Sequence, residues 1–165
     1  MFHVQKPTGT KETQYTSMKK QLASLLEDER DGLANLANTA SFLAHSLYEI
    51  NWVGFYLMKQ NELVLGPFMG KPACVRIAVG KGVCGTAVAE NRTQVVPDVH
   101  QFPGHIACDA DSRSEIVVPL VVNNQIIGVL DIDSPITNRF DEEDKEQLEQ
   151  IVSILIHATD WEDIR

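Results

Sequence analysis

Apolar residues recur at Met18, Leu22, Leu25 and Leu26, and again at Leu33, Leu36, Ala37, Ala40, Ala44 and Leu47. These three- and four-residue steps predict two helices, the second starting near Asp31, with Asp31-Gly32 as the break between them. Residues 1–15 carry no such pattern and are expected to form a flexible arm ahead of one domain over 16–165. After the second helix the period falls toward two. Residues 51–58, rich in aromatic and β-branched side chains, predict a strand. Asn61 predicts a turn into a second strand over 62–65, ended by Gly66 and Pro67. A third strand is expected over 73–79, a short helix over 86–90 and a brief strand over 93–96, stopped by Pro97. Residues 115–122 and 125–133 predict two strands joined by Asn123-Asn124, a dipeptide suited to a two-residue hairpin. Asp141 is placed to cap a last helix with Leu148, Ile151, Val152 and Leu155 as its apolar stripe. Hairpin-linked strands with helices gathered at both chain ends predict an α+β fold: an antiparallel sheet covered by those helices.

The length of 165 residues fits one domain with a real core. Lysine and arginine number 14 against 23 aspartates and glutamates, a formal charge of −9, which argues against a nucleic-acid coat. No apolar run approaches the roughly 20 residues that span a bilayer, and the first residues hold no apolar signal core. A cytoplasmic protein without membrane or nucleic-acid partners is therefore expected.

Chemistry concentrates in a few places. Gly80-Lys81-Gly82-Val83-Cys84-Gly85 satisfies GxGxxG, but the helix after it is short and no parallel crossover follows, so a dinucleotide site is set aside in favour of a tight turn or a small anion site. The three cysteines, Cys74, Cys84 and Cys108, are odd in number and widely spaced. Inert core thiols, metal ligands and a redox set are the alternatives; the absence of a CxxC or HxxxH pair gives no support to zinc. Cys108 sits in a long polar loop, 98–114, where an inert thiol is least expected. Strand alternation puts Asp131 and Asp133 on one face. Hairpin pairing of Val122 with Gln125 sets Glu115 opposite Ile132, diagonal to both aspartates. Three acids at one sheet end repel one another unless a cation or a shared proton sits there. Trp52, Gly54 and Tyr56 share a strand face, as core or as the floor of a small pocket.

These residues carry a likeness. The segments INWVGFYL (50–57), LVLGPFMGKPACVRI (63–77), GKGVCGTAVA (80–89), DVHQFPGHIACDADSRSEIVVPL (98–120) and IIGVLDIDSP (126–135) resemble the free methionine-(R)-sulfoxide reductase family, which has a GAF-domain fold. The resemblance implies a sheet of about six strands. It implies reduction of the R epimer of free methionine sulfoxide under oxidative stress, with no bound cofactor, thioredoxin as external reductant, and a homodimer. By position, Cys108 resembles the nucleophile, Cys74 the main resolving thiol and Cys84 the third family cysteine. Trp52 and Tyr56 match the aromatic wall, and Glu115, Asp131 and Asp133 the acidic cluster.

The chemistry fits the residues. A sulfoxide accepts a thiolate once its oxygen is protonated, which a carboxylic acid of raised pKa can do; Asp133 or Glu115 is the preferred donor. The sulfenic acid left on Cys108 condenses with a second thiol, Cys74 or Cys84. The remaining acids suit the substrate ammonium. Backbone N–H groups of loop 104–108, Ile106 and Ala107 among them, or of a helix N-terminus, suit its carboxylate. A non-catalytic GAF sensor module that binds a small molecule is the competing reading, and a partner-binding domain a third; neither needs Cys108.

Overall fold

The computed structural model describes residues 1–106 and 108–164. Two helices open it, α1 (Lys11–Leu26) and α2 (Gly32–Ser46). Each starts at a short polar cap: the Thr10 side chain accepts from Thr13 N–H and Asp31 from Ala34 N–H. Thus α1 begins inside the stretch expected as an arm, because Tyr15 extends the buried stripe of Met18, Leu22 and Leu26 one turn earlier.

Six strands follow: β1 (Trp52–Lys59), β2 (Glu62–Met69), β3 (Arg76–Ala78), β4 (Gln94–Val96), β5 (Ser114–Val122) and β6 (Gln125–Ser134). Helix α3 (Gly82–Glu90) lies between β3 and β4, and α4 (Glu142–Ala158) closes the fold. The strands form one antiparallel sheet in the order β3-β2-β1-β6-β5-β4. Both tight hairpins turn on residues of positive φ, Gln60-Asn61 and Asn123-Asn124.

The sheet is buried on both faces. Val53, Phe55 and Leu57 point to a core shared with α1, α2 and α4. Trp52 and Tyr56 point the other way, to a smaller core with Val83, Cys84 and Ala87 of α3. The period-two pattern of β1 thus reads as alternation between two cores rather than between core and water. Asp141 and Asp144 cap α4 reciprocally, each accepting the other's backbone N–H. Burial works against the Asp141 carboxylate, but the Asp144 N–H and Lys11 hold its pKa near 2.

Three expectations are corrected. Strand β2 does not end at Gly66 and Pro67. Gly54 pairs with Phe68 and Tyr56 with Leu65, so Gly66 and Pro67 together oppose Phe55 in a bulge, a place where a strand tolerates a missing N–H. The strand expected over 73–79 is only Arg76–Ala78, leaving Cys74 in the loop before it. The glycine turn is largely helical: α3 starts at Gly82, and Cys84 stands in its first turn.

Candidate active site

The site is built in rows across the sheet. Trp52 of β1 pairs with Asp133 of β6, Asp133 with Glu115 of β5, and Glu115 with Val96 of β4. The next row runs Phe68, Gly54, Asp131, Val117. Glu115 therefore faces Asp133 directly, not Ile132 as the hairpin alone predicts. The cause is a bulge: Val121 pairs with Ile126 but Leu120 with Gly128, so Ile127 is the extra residue. One added residue reverses facing, and here it turns Glu115 onto the face of both aspartates.

Burial then governs the acids. Glu115 and Asp131 are each 6% exposed. Burial, then the charges of Asp131 and Asp133, push the Glu115 carboxyl well above its usual range. Burial and Asp131 do the same to Asp133, against a hydrogen bond from Ser112. Asp131 is raised by burial to about 6, held back by hydrogen bonds from Glu115 and Cys84. The cluster as a unit therefore holds protons more tightly than separate, solvated carboxyls would. The Asp131 Oδ1 is buried and has no hydrogen-bond partner among the described residues. His105 Nε2 lies 3.8 Å from Glu115 Oε2. Burial, then His100, lowers the His105 pKa, which works against a charged pair there.

Above the acids stands α3. Cys84 is buried, and burial and the three acids push its thiol well above its ordinary pKa. Ligand atoms of Cys84, Glu115 and Asp131 lie within 4.8 Å of one another, close enough to hold a cation. The raised proton affinity of the Cys84 thiol and the Glu115 carboxyl opposes that use, since a metal ligand must shed its proton. Lys81 at the N-cap of α3 makes no side-chain cap, and the first turn of the helix borders the cavity.

Cys74 and Cys108 are joined in a disulfide, with Cα atoms 5.6 Å apart. Cys84 is the free thiol. Cys108, Ile106, Trp52, Tyr56 and the three acids line one cavity of about 40 Å³, room for a few waters. Ala107 lies outside the described residues. The gap expected between Trp52 and Tyr56 is not the pocket floor. Phe68 occupies it, stacked 5.2 Å from Trp52, and a Cβ on Gly54 would meet Phe68 Cβ at 2.3 Å. The two aromatic side chains also support the disulfide loop: Trp52 Nε1 donates to Lys71 O and Tyr56 Oη to Cys74 O.

Some site residues carry no pattern in the sequence. Asn51 donates to both Asp109 Oδ2 and Ser112 Oγ, and Lys71 pairs with Asp111 and lies 3.9 Å from Asp109. These contacts tie the Cys108 loop to the start of β1 and to the Cys74 loop. The polar loop 98–114 signals their presence, not their partners.

The GAF domain model matches residues 24–158. The free methionine-R-sulfoxide reductase of Escherichia coli is 58% identical over 141 residues, 86% of each chain. The structure of the reduced form of fRMsr from Staphylococcus aureus superposes with a TM-score of 0.87 at 62% identity, covering 93% of this chain and 98% of that one. A free methionine-R-sulfoxide reductase from Neisseria meningitidis, in complex with its substrate, gives 0.92 at 46% identity over 96% and 95% of the two chains.

Proposed function

This chain belongs to the GAF-fold free methionine-R-sulfoxide reductases, and from that membership we propose that it reduces free L-methionine (R)-sulfoxide to L-methionine, with thioredoxin as the reductant. The observation that carries the reading is the Cys74–Cys108 disulfide on the wall of a cavity floored by three acids.

In the reduced enzyme the substrate's sulfoxide oxygen takes a proton from Glu115 or Asp133, two acids whose affinity for a proton is raised by burial and by their acidic neighbours. The Cys108 thiolate attacks sulfur and the S–O bond breaks with loss of hydroxide; hydroxide then attacks Cys108 Sγ, the new sulfur–sulfur bond breaks, and methionine leaves with Cys108 as a sulfenic acid. Cys74 displaces its hydroxyl as water, forming the disulfide. Thioredoxin then supplies two electrons by thiol–disulfide exchange. Trp52 and Tyr56 face the methylthio end. Asp131, charged and with an unpartnered oxygen, matches the substrate ammonium. The first turn of α3 with Lys81, together with Ile106 in the loop, matches its carboxylate. Cys84, buried and held protonated, is the less suited resolving thiol, which favours Cys74. A cytoplasmic homodimer acting under oxidative stress fits this chemistry, and no helix among the described residues is long and apolar enough to cross a membrane.

The test is NADPH oxidation with thioredoxin and thioredoxin reductase, for the wild type and Cys108→Ser. Turnover of the free R epimer is expected, with none of the S epimer or of peptide-bound sulfoxide, and none in the variant. Tight ligand binding by both proteins without turnover in either would favour the sensor reading.

A further inference from the structure

The disulfide fixes Cys108 at the cavity wall in the oxidised state, and attack on a substrate needs that bond open. Other contacts must then keep the Cys108 sulfur in place. Its own backbone N–H donates to Ile106 O at 3.0 Å, a contact within the same loop. The loop rejoins the sheet at Arg113, whose N–H donates to Ser134 O and whose carbonyl accepts from Val99 N–H, both at 2.8 Å. Between Cys108 and Arg113 stands a tight turn, Asp109 to Ser112. Ser112 N–H donates to Asp109 O at 3.3 Å and Asp111 N–H to Asp109 Oδ1 at 2.9 Å, so the turn is a small unit of its own.

A single amide grips both ends of that unit. Asn51 Nδ2 donates to Asp109 Oδ2 at 3.0 Å and to Ser112 Oγ at 3.1 Å. The Asp109 side chain is 7% exposed and Ser112 4%, so water competes poorly for either bond. Lys71 also reaches the turn, through Asp111, but both of those side chains are more than half exposed, and such pairs hold little. Asn51 is itself fixed. Its backbone N–H donates to Asp133 O at 2.9 Å, and the next residue, Trp52, pairs with Asp133 across the sheet. The neighbour of the nucleophile is thus anchored to the row that carries Trp52, Asp133 and Glu115. The Asn51 Oδ1, by contrast, is buried and has no hydrogen-bond partner among the described residues. A buried oxygen left unpaired lowers stability, which a residue kept for packing alone would avoid.

We propose that Asn51 is a positioning residue for the nucleophile: its amide seats the Asp109–Ser112 turn on the end of the sheet and so holds Cys108 at the cavity wall once the disulfide is open. The inference rests on Cys108 attacking a sulfoxide in this cavity. Asn51 acts through Asp109 and Ser112. Displacing a reacting atom by about 1 Å can slow a step on the order of a hundredfold, so a small shift of the turn is enough.

The experiment mixes pre-reduced enzyme with free methionine (R)-sulfoxide, without reductant, and follows methionine after rapid quenching. Each chain makes one methionine as the Cys74–Cys108 pair gives up two electrons. The amplitude counts folded, competent chains, and the rate constant reports their geometry. Asn51→Asp keeps the shape of the side chain and turns an oxygen toward the Asp109 carboxylate in place of a donor. It should lower the rate constant about tenfold or more at near wild-type amplitude. The double variant Asn51→Asp/Asp109→Asn exchanges donor and acceptor, and it should regain about fivefold or more over Asn51→Asp. A wild-type rate constant in Asn51→Asp, a fall in amplitude alone, or a double variant no faster than Asn51→Asp overturns the proposal. A wild type that yields no methionine removes the sulfoxide reading itself, and the inference with it.

Discussion

Asp131 shows how one side chain trades stability for function. Burial raises its carboxyl to about 6, so the folded chain holds its proton more tightly than the unfolded one. The sign follows: its cost is absent below pH 4, where both states are protonated, and grows as the pH rises toward 6, by about 1.4 kcal/mol for each pH unit between the unfolded and folded pKa. Asp131→Asn keeps the shape and removes the charge. It should raise stability at pH 8 by on the order of 1–3 kcal/mol, with no gain at pH 4 and a large loss of turnover; thermal unfolding across that range reads the difference. A fall in stability at pH 8 would mean that a group of the chain already compensates the charge. At this scale the sequence is informative where chemistry is local. Cys108 in a polar loop and two aspartates at period two stand out by type and spacing. Asn51 and Ser112 do not, because their partnership joins positions 61 residues apart and nothing in either residue encodes the distance.

At the level of strands and helices, legibility fails where an irregularity decides the geometry. The hairpin at Asn123-Asn124 is readable, but the bulge at Ile127 is not, and it sets which face Glu115 joins. Pro67 reads as a strand end because an isolated strand cannot use it, whereas a bulge opposite Phe55 accommodates it. The glycines of α3 are legible as a demand for space, and the structure shows where the space goes. A Cβ on Gly85 would meet Ala78 O at 2.4 Å and Gly80 N at 3.1 Å, both backbone atoms. Gly85→Ala should therefore push α3 off β3 and lower stability by about 2 kcal/mol, outweighing the ~1 kcal/mol that alanine gains in a helix. Urea unfolding at pH 7 measures it. Because the first turn of α3 borders the cavity, the KM for substrate should rise in the same variant.

For the molecule as a whole, the antiparallel α+β class follows from hairpin signals and terminal helices, both visible in the sequence. The second core under α3 is not, since Val83, Cys84 and Ala87 are too few to show a helical period. The two cores share one sheet, so the disulfide on the smaller side bears on the stability of all of it. A bond between residues 34 apart restricts the unfolded chain enough to contribute about 3–4 kcal/mol. Reduction should lower the midpoint of thermal unfolding by on the order of 10 °C, and a Cys74→Ser/Cys108→Ser double variant should melt with the reduced form whatever the redox buffer. The same bond ties up Cys108, the cysteine on the cavity wall, so neither member of the pair is a free thiol while it holds. A finished turnover thus spends the pair. Methionine sulfoxide arriving early finds no thiolate, and the reductant arriving early finds no bond to break. The enzyme is a turnstile: each visitor unlocks the gate for the other, and the flow of one can never outrun the supply of the other.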